Sequence, residues 1–247
     1  RKVQLLAYRD TLTNLPNRLL FADRLEQSII RSERSRTSMA LMLVDIDDFK
    51  LVNDSFGHDA GDKLIKAVGE LIAKSLRRAD TIARLGGDEF AVIIEGIDGP
   101  EDAISIADNL TTILEHNVRL DDQETYTSAS IGIAVFPEDG KDARTLLKNA
   151  DTAMFRAKEN GRHCFQFYKP EMSVSAMARL DLENNLKSAF ENDEYLIHYQ
   201  PVIDIHKNEI VGVEALLRWQ HPDKGMIQPN DFISVVEDCG LIVALGE

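Results

Sequence analysis

The sequence predicts an α+β fold in which a mainly antiparallel central sheet is flanked by helices. Three observations carry this expectation. Apolar residues switch between helical and strand spacing in the order helix, strand, helix, hairpin, helix, strand, helix, strand. Met39 to Val44 is apolar without interruption, as a strand covered on both faces is. Two short apolar runs meet at Gly86-Gly87-Asp88-Glu89, where a glycine pair closes a hairpin rather than a helical crossover.

Taken in order, Leu19, Leu20, Ala22, Leu25 and Ile29 recur at helical spacing and predict a helix from Leu15 to about Arg36, with Pro16 near its start. "SMALMLVDID" is a buried strand that ends where Asp45 and Asp47 break the apolar run. "DFKLVNDSFG" is a short helix stopped by Gly57, and Asp59 to about Arg78 is a longer one, with Leu64, Ile65, Val68, Leu71, Ile72 and Leu76 on one face. The hairpin arms run from about Thr81 to Leu85 and from Phe90 to Glu95. Pro100 to about His116 is helical, "YTSASIGIAVF" a strand, Asp142 to about Asn160 helical and "HCFQFY" a closing strand. Beyond Pro170 come a helix to about Asn192, two strands in "EYLIHYQPVIDI" and "EIVGVEALLRW", and a loop leading into a helix.

The 247 residues carry a net charge of −14, which argues against a face for duplex DNA or RNA. The excess is uneven: residues 1–169 hold 23 Lys and Arg against 28 acids, whereas residues 170–247 hold 5 against 14. This shift marks a boundary near Lys169-Pro170. Cys164 and Cys239 are too few for a disulfide framework, so a reducing cytoplasm is the expected setting. No run of about 18 apolar residues predicts a membrane span, so membrane attachment is expected only through segments upstream of Arg1.

If the strand ending at Asp45 and Asp47 lies beside the hairpin carrying Asp88 and Glu89, three or four carboxylates converge at one edge of the sheet. Hard divalent cations relieve such repulsion, and Mg²⁺ is held by one or two carboxylates together with substrate phosphates. Gly86 and Gly87 then allow positive φ at the turn and let a bulky ligand lie against the backbone. On the turn alone, a plain glycine hairpin with solvated acids reads as well.

"DTLTNLPNR", "DIDDFKLVNDSFGHDAGD" and "RLGGDEF" together closely resemble the diguanylate cyclase (GGDEF) family over residues 10–169. The resemblance implies a fold akin to the polymerase palm and nucleotidyl cyclases, and condensation of two GTP into cyclic di-GMP with release of two pyrophosphates. It implies two Mg²⁺ (or Mn²⁺) per active site, held by Asp45, the Ile46 carbonyl, Asp88 and Glu89, with Asp88 also helping to deprotonate the attacking 3′-hydroxyl. Asn53 and Asp62 would read the guanine edge, and Lys50, Lys158 and Arg162 would hold the phosphates. Phe49 and the glycines of "FGHDAGD" would shape the short helix and its turn, and His58 would take a minor place on the substrate side. Arg77 and Asp80 match an RxxD product-inhibition site. A product built from two GTP implies a homodimer in which each site attacks the nucleotide of the other, and residues 1–9 resemble the end of a helical connector from an upstream region.

"YQPVIDIHKNEIVGVEALLRWQHPDKG" resembles the start of an EAL-type cyclic di-GMP phosphodiesterase domain, with Gln200, Glu214 and Arg218 in its early motifs. The resemblance makes Glu214 a metal ligand and Arg218 a phosphate contact. That family folds as a TIM-type barrel, which takes about 250 residues. Residues 170–247 are therefore expected to be an incomplete N-terminal piece, without phosphodiesterase activity of its own. The competing expectation for the whole is a non-catalytic GTP- or product-binding module that regulates an attached EAL domain.

Overall fold

The computed structural model describes residues 7–120 and 123–246. Residues 1–6, the greater part of the expected connector, lie outside them. The chain forms two compact units, residues 1–173 and 174–247.

In the first unit, α1 (Arg18–Ser35) starts at Asn17, whose side chain accepts from the Leu19 and Leu20 amides, and ends at Arg36 in a left-handed cap. Then follow β1 (Ser38–Ile46), α2 (Phe49–Phe56), α3 (His58–Ser75), β2 (Thr81–Gly86), β3 (Glu89–Ile97) and α4 (Pro100–Leu114). A hairpin of β4 (His116–Leu120) and β5 (Gln123–Thr127) precedes β6 (Ala129–Phe136), α5 (Ala143–Glu159) and β7 (Phe165–Phe167). The central sheet has the order β2-β3-β1-β6-β7, antiparallel throughout except for the parallel pair β6 and β7.

Alternation along the strands builds two cores. Ala40, Met42 and Val44 of β1, with Phe90, Val92 and Ile94 of β3, face α3 and α4. Met39, Leu41 and Leu43, with Ala91 and Ile93, face α1 and α5. Both faces of β1 are therefore buried, which is why its sequence shows no polar alternation. Gly132 lets α5 lie directly on β6: a Cβ there would fall 2.0 Å from the Ala150 carbonyl oxygen and 2.2 Å from the Met154 nitrogen.

Two expectations needed correction. "YTSASIGIAVF" is two strands rather than one, divided at Ser128. Both the hydroxyl and the carbonyl of Ser128 are engaged by Asp47, which turns the chain out of the sheet there. The upstream half pairs with β4, a strand that "HNVRL" did not announce because its apolar content is low.

The second unit takes in most of α6 (Pro170–Glu191), then β8 (Tyr195–Asp204), β9 (Glu209–His221), β10 (Gly225–Ile227), a 3₁₀ turn and the short helices α7 (Ile233–Asp238) and α8 (Ile242–Gly246). Its core gathers Leu186, Ala189, Trp219, Phe232, Val235 and Val236, and Trp219 Nε1 donates to Glu194 at 2.9 Å. Further along the β8-β9 hairpin, Ile197, Tyr199, Val211 and Val213 are exposed.

Candidate functional site: an acidic sheet end between two helical arms

Antiparallel register sets Asp45 of β1 directly opposite Glu89 of β3, and the Ile46 amide donates to the Asp88 carbonyl at 3.4 Å. The expected neighbourhood of the first strand and the hairpin is therefore present. Strand parity puts Asp45 and Glu89 on the face that carries α5. From the C-terminal turn of that helix Lys158 reaches back, its Nζ 2.7 Å from Asp45 Oδ1. Asp45 is buried, with 7% of its surface exposed. Burial pushes its carboxyl up to about 6; Lys158 opposes this, and the charges of Asp88 and Glu89 add to it.

Asp47 does not join the cluster. Its carboxylate accepts from the Ser128 and Ser130 hydroxyls at 2.7 and 2.6 Å and from the His163 amide at 3.1 Å. These donors satisfy it without a cation, so the acids at the sheet end number three.

The turn between β2 and β3 has Gly86 at φ 147° and Gly87 at 51°, where a Cβ would meet no atom within 4 Å. The space above both glycines is open. The turn is braced from below by Arg84, whose Nε and Nη2 donate to the Gly87 carbonyl at 3.0 and 2.7 Å while Nη1 reaches both Asp10 oxygens at 3.1 Å. Asp10 in turn accepts from the amide and hydroxyl of Thr13. Reading the acids alone passed over Arg84 and Asp10; an arginine next but one before a glycine pair was the available signal.

On the other side, α2 and α3 meet around Gly57, at φ 84°. Gly61 allows close contact: a Cβ on it would fall 2.1 Å from Asn53 Oδ1 and 3.1 Å from Phe49 Cζ. The Asn53 amide thus rests on the residue before Asp62, bringing the two guanine-reading candidates together on adjoining helices. Lys50 is exposed in the first turn of α2, and His58 is exposed at the start of α3.

Arg162 follows α5 in a left-handed conformation, its Nε 3.7 Å from Asp48 Oδ1. Arg77 is exposed, and its amide donates to Asp80 Oδ2 at 2.9 Å; Asp80 Oδ1 accepts from the Glu95 amide. Asp80 thus also closes the turn between α3 and β2. In the second unit Gln200 and Glu214 are direct cross-strand partners, with Arg218 further along β9, its Nη1 bonded to the Leu217 carbonyl.

Among the described residues no three acidic, histidine or cysteine side chains are drawn to one metal-binding point. The donor chemistry still suits a hard cation: carboxylates from adjacent strands at one sheet end, with the Asp45 carboxyl raised chiefly by burial and further by the charges of Asp88 and Glu89. Lys158 now supplies the compensating charge.

Comparison with known proteins agrees with this arrangement. Residues 7–164 match the family model "Diguanylate cyclase, GGDEF domain" and residues 183–247 match "EAL domain". Over all 247 residues the chain is 43% identical to the bifunctional diguanylate cyclase/cyclic di-GMP phosphodiesterase MucR of Pseudomonas aeruginosa, covering 36% of it. It is 41% identical to the cyclic di-GMP phosphodiesterase PdeR of Escherichia coli, over 99% of this chain and 36% of that one. The chain thus spans about a third of the length of these relatives. Among solved structures, the GGDEF domain of YfiN (TpbB) from Pseudomonas aeruginosa superposes with a TM-score of 0.67 at 37% identity, covering 68% of this chain and 99% of that one. The coiled coil and GGDEF domain of DgcB from Caulobacter crescentus, in complex with c-di-GMP, gives 0.60 at 29% identity, covering 67% and 88%. With the signature turn, the acids facing it and the family match all falling on one unit, the chain belongs to the diguanylate cyclase GGDEF-domain family and continues into an EAL segment.

Proposed function

We propose that this chain is a diguanylate cyclase that condenses two GTP into cyclic di-GMP as a homodimer. The observation that carries the reading is the placement of Asp45 opposite Glu89, with Asp88 beside them, under an open glycine turn and within reach of Lys158. Asp45, Asp88, Glu89 and the Ile46 carbonyl would hold two Mg²⁺ or Mn²⁺, which supply charge neutralisation of the triphosphate and acidify the attacking hydroxyl.

The protein's own residues do the rest. Asn53 and Asp62 orient the base: the Asp62 carboxylate accepts from guanine N1–H and the exocyclic amine, donors that adenine does not offer in that pattern. Lys158 leaves Asp45 for the phosphates, and with Lys50 and Arg162 it steadies the departing pyrophosphate. In each half-reaction the 3′-oxygen of one nucleotide bonds to the α-phosphorus of the other, the bond to pyrophosphate breaks, and the hydroxyl proton passes to Asp88. Two chains about a two-fold axis complete both bonds with one surface. Cyclic di-GMP at Arg77 and Asp80 would restrain the enzyme. The match to a DgcB structure that contains c-di-GMP is in keeping with such a site.

Incubation with GTP and Mg²⁺ across a protein-concentration series tests the proposal. Cyclic di-GMP that rises faster than linearly with protein and vanishes in Asp88→Ala is the expected result. The phosphodiesterase names of relatives such as PdeR and NbdA favour a second reading, a GTP-binding regulatory module for an EAL domain. Tight GTP binding without product would select it.

A further inference from the structure

The loop between α5 and β7 places three consecutive residues on the left-handed side of the Ramachandran map: Gly161 at φ 104°, Arg162 at 62° and His163 at 47°. Glycine adopts this backbone freely, whereas arginine and histidine do not. Something beyond the loop has to hold it. The Arg162 amide closes onto the Ala157 carbonyl at 3.1 Å, which anchors only the near end.

The far end is held by Asp47, whose Oδ2 accepts the His163 amide at 3.1 Å. That oxygen is itself oriented by the Ser128 hydroxyl, and Oδ1 by the Ser130 hydroxyl. Asp47 is buried, and its own amide donates to the Ser128 carbonyl at 3.0 Å. A charged acceptor with both oxygens committed within the protein is a fixture of the frame, not a spare ligand.

We infer that Asp47 is a positioning residue that sets the 161–163 loop so that the Arg162 guanidinium addresses the β- and γ-phosphates. This rests on the reading of Arg162 given under the proposed function. Asp47 acts through the His163 backbone and touches no substrate itself. Asparagine in its place keeps the hold, because its carbonyl oxygen accepts from His163 and Ser128 while its amide donates to Ser130, whose hydroxyl turns to accept. Alanine releases it.

The test measures binding of an α,β-methylene GTP analogue and of GMP to wild type, Asp47→Ala, Asp47→Asn, Arg162→Ala and the Asp47→Ala/Arg162→Ala pair. Loss of a charge-assisted contact weakens the analogue about tenfold in each of the two single alanine variants. The pair should be no weaker than Arg162→Ala alone, Asp47→Asn should match wild type, and GMP, which lacks the phosphates concerned, should bind equally to all. Wild-type affinity in Arg162→Ala would overturn the phosphate role and this inference with it. A weakened Arg162→Ala beside an unaffected Asp47→Ala, an additive pair, or an equal loss for GMP would overturn the positioning role alone. Where Asp47→Ala fails to give a cooperative melt, Ser128→Ala runs the same cycle, with an expected loss of about threefold that disappears in the Arg162→Ala background.

Discussion

Substitution of Gly61 by alanine separates base recognition from folding. The added Cβ would lie 2.1 Å from Asn53 Oδ1, well inside the roughly 3.3 Å of a close C···O contact. The obstacle is the end of a half-buried side chain rather than backbone, so Asn53 can swing aside by changing rotamer, at about 0.5–1.5 kcal/mol. Alanine returns up to about 1 kcal/mol over glycine within a helix. The two effects nearly cancel, and the melting temperature should stay within about 3 °C of wild type. With Asn53 in its proposed role on the base, that contact suffers directly: Asn53 is displaced, the hydrogen bonds it would give the base are lost, and GTP affinity should fall by about 5- to 150-fold for a loss of about 1–3 kcal/mol. Calorimetric titration with the α,β-methylene analogue, paired with a thermal melt, reads both. Unchanged affinity in Gly61→Ala would refute the assignment of Asn53 to the base, and a large drop in melting temperature would show that the contact is core packing instead.

Gly132→Ala should behave in the opposite way. Its Cβ meets the backbone of α5 at Ala150 and Met154, which cannot step aside, so the melt should fall by the equivalent of about 3 kcal/mol. A wild-type melting temperature there would contradict the close approach of helix and sheet. The Asp45 carboxyl, raised from 3.8 to about 6 in the folded protein, binds its proton more tightly folded than unfolded. Its contribution to stability is therefore fully present below pH 3.8 and lost as pH rises through about 6. In chelator, the melting temperature of wild type relative to Asp45→Asn should decline across that window; a parallel pair of curves would show that Asp45 titrates normally.

Much of the fold was legible because β1 and β3, buried on both faces, read as unbroken apolar runs, and because the acids interrupt them at matching ends. Asp45 and Glu89 could be brought together on paper from the hairpin and one neighbouring strand. Asp47 could not be separated from them, because its partners Ser128, Ser130 and the His163 amide lie some 80 to 116 residues away, and a serine hydroxyl leaves no pattern in periodicity. The β4-β5 hairpin went unread for a related reason: "HNVRL" and "QETYT" pair with one another away from the main sheet and show no apolar alternation. Asn53 and Asp62 were legible as types, whereas their adjacency depends on Gly61 lacking a side chain, which only the packing of two helices reveals.

The placement of residues 8–18 along β2 has a consequence for assembly. β2 and β7 are the two outer strands of the central sheet. The Arg84 amide of β2 donates to the Pro16 carbonyl at 3.0 Å, and the Leu85 carbonyl accepts from Arg18. β7 is three residues long. Both margins are blunted in the manner that discourages strand addition, which disfavours joining two copies of this unit by extending one sheet into the next. The catalytic pair proposed above would then meet through side chains around the acidic sheet end, a contact that forms and separates without any exchange of backbone hydrogen bonds. Under the proposed cyclase reading, association of that kind would be readily reversible, and the rate of synthesis would follow local protein concentration.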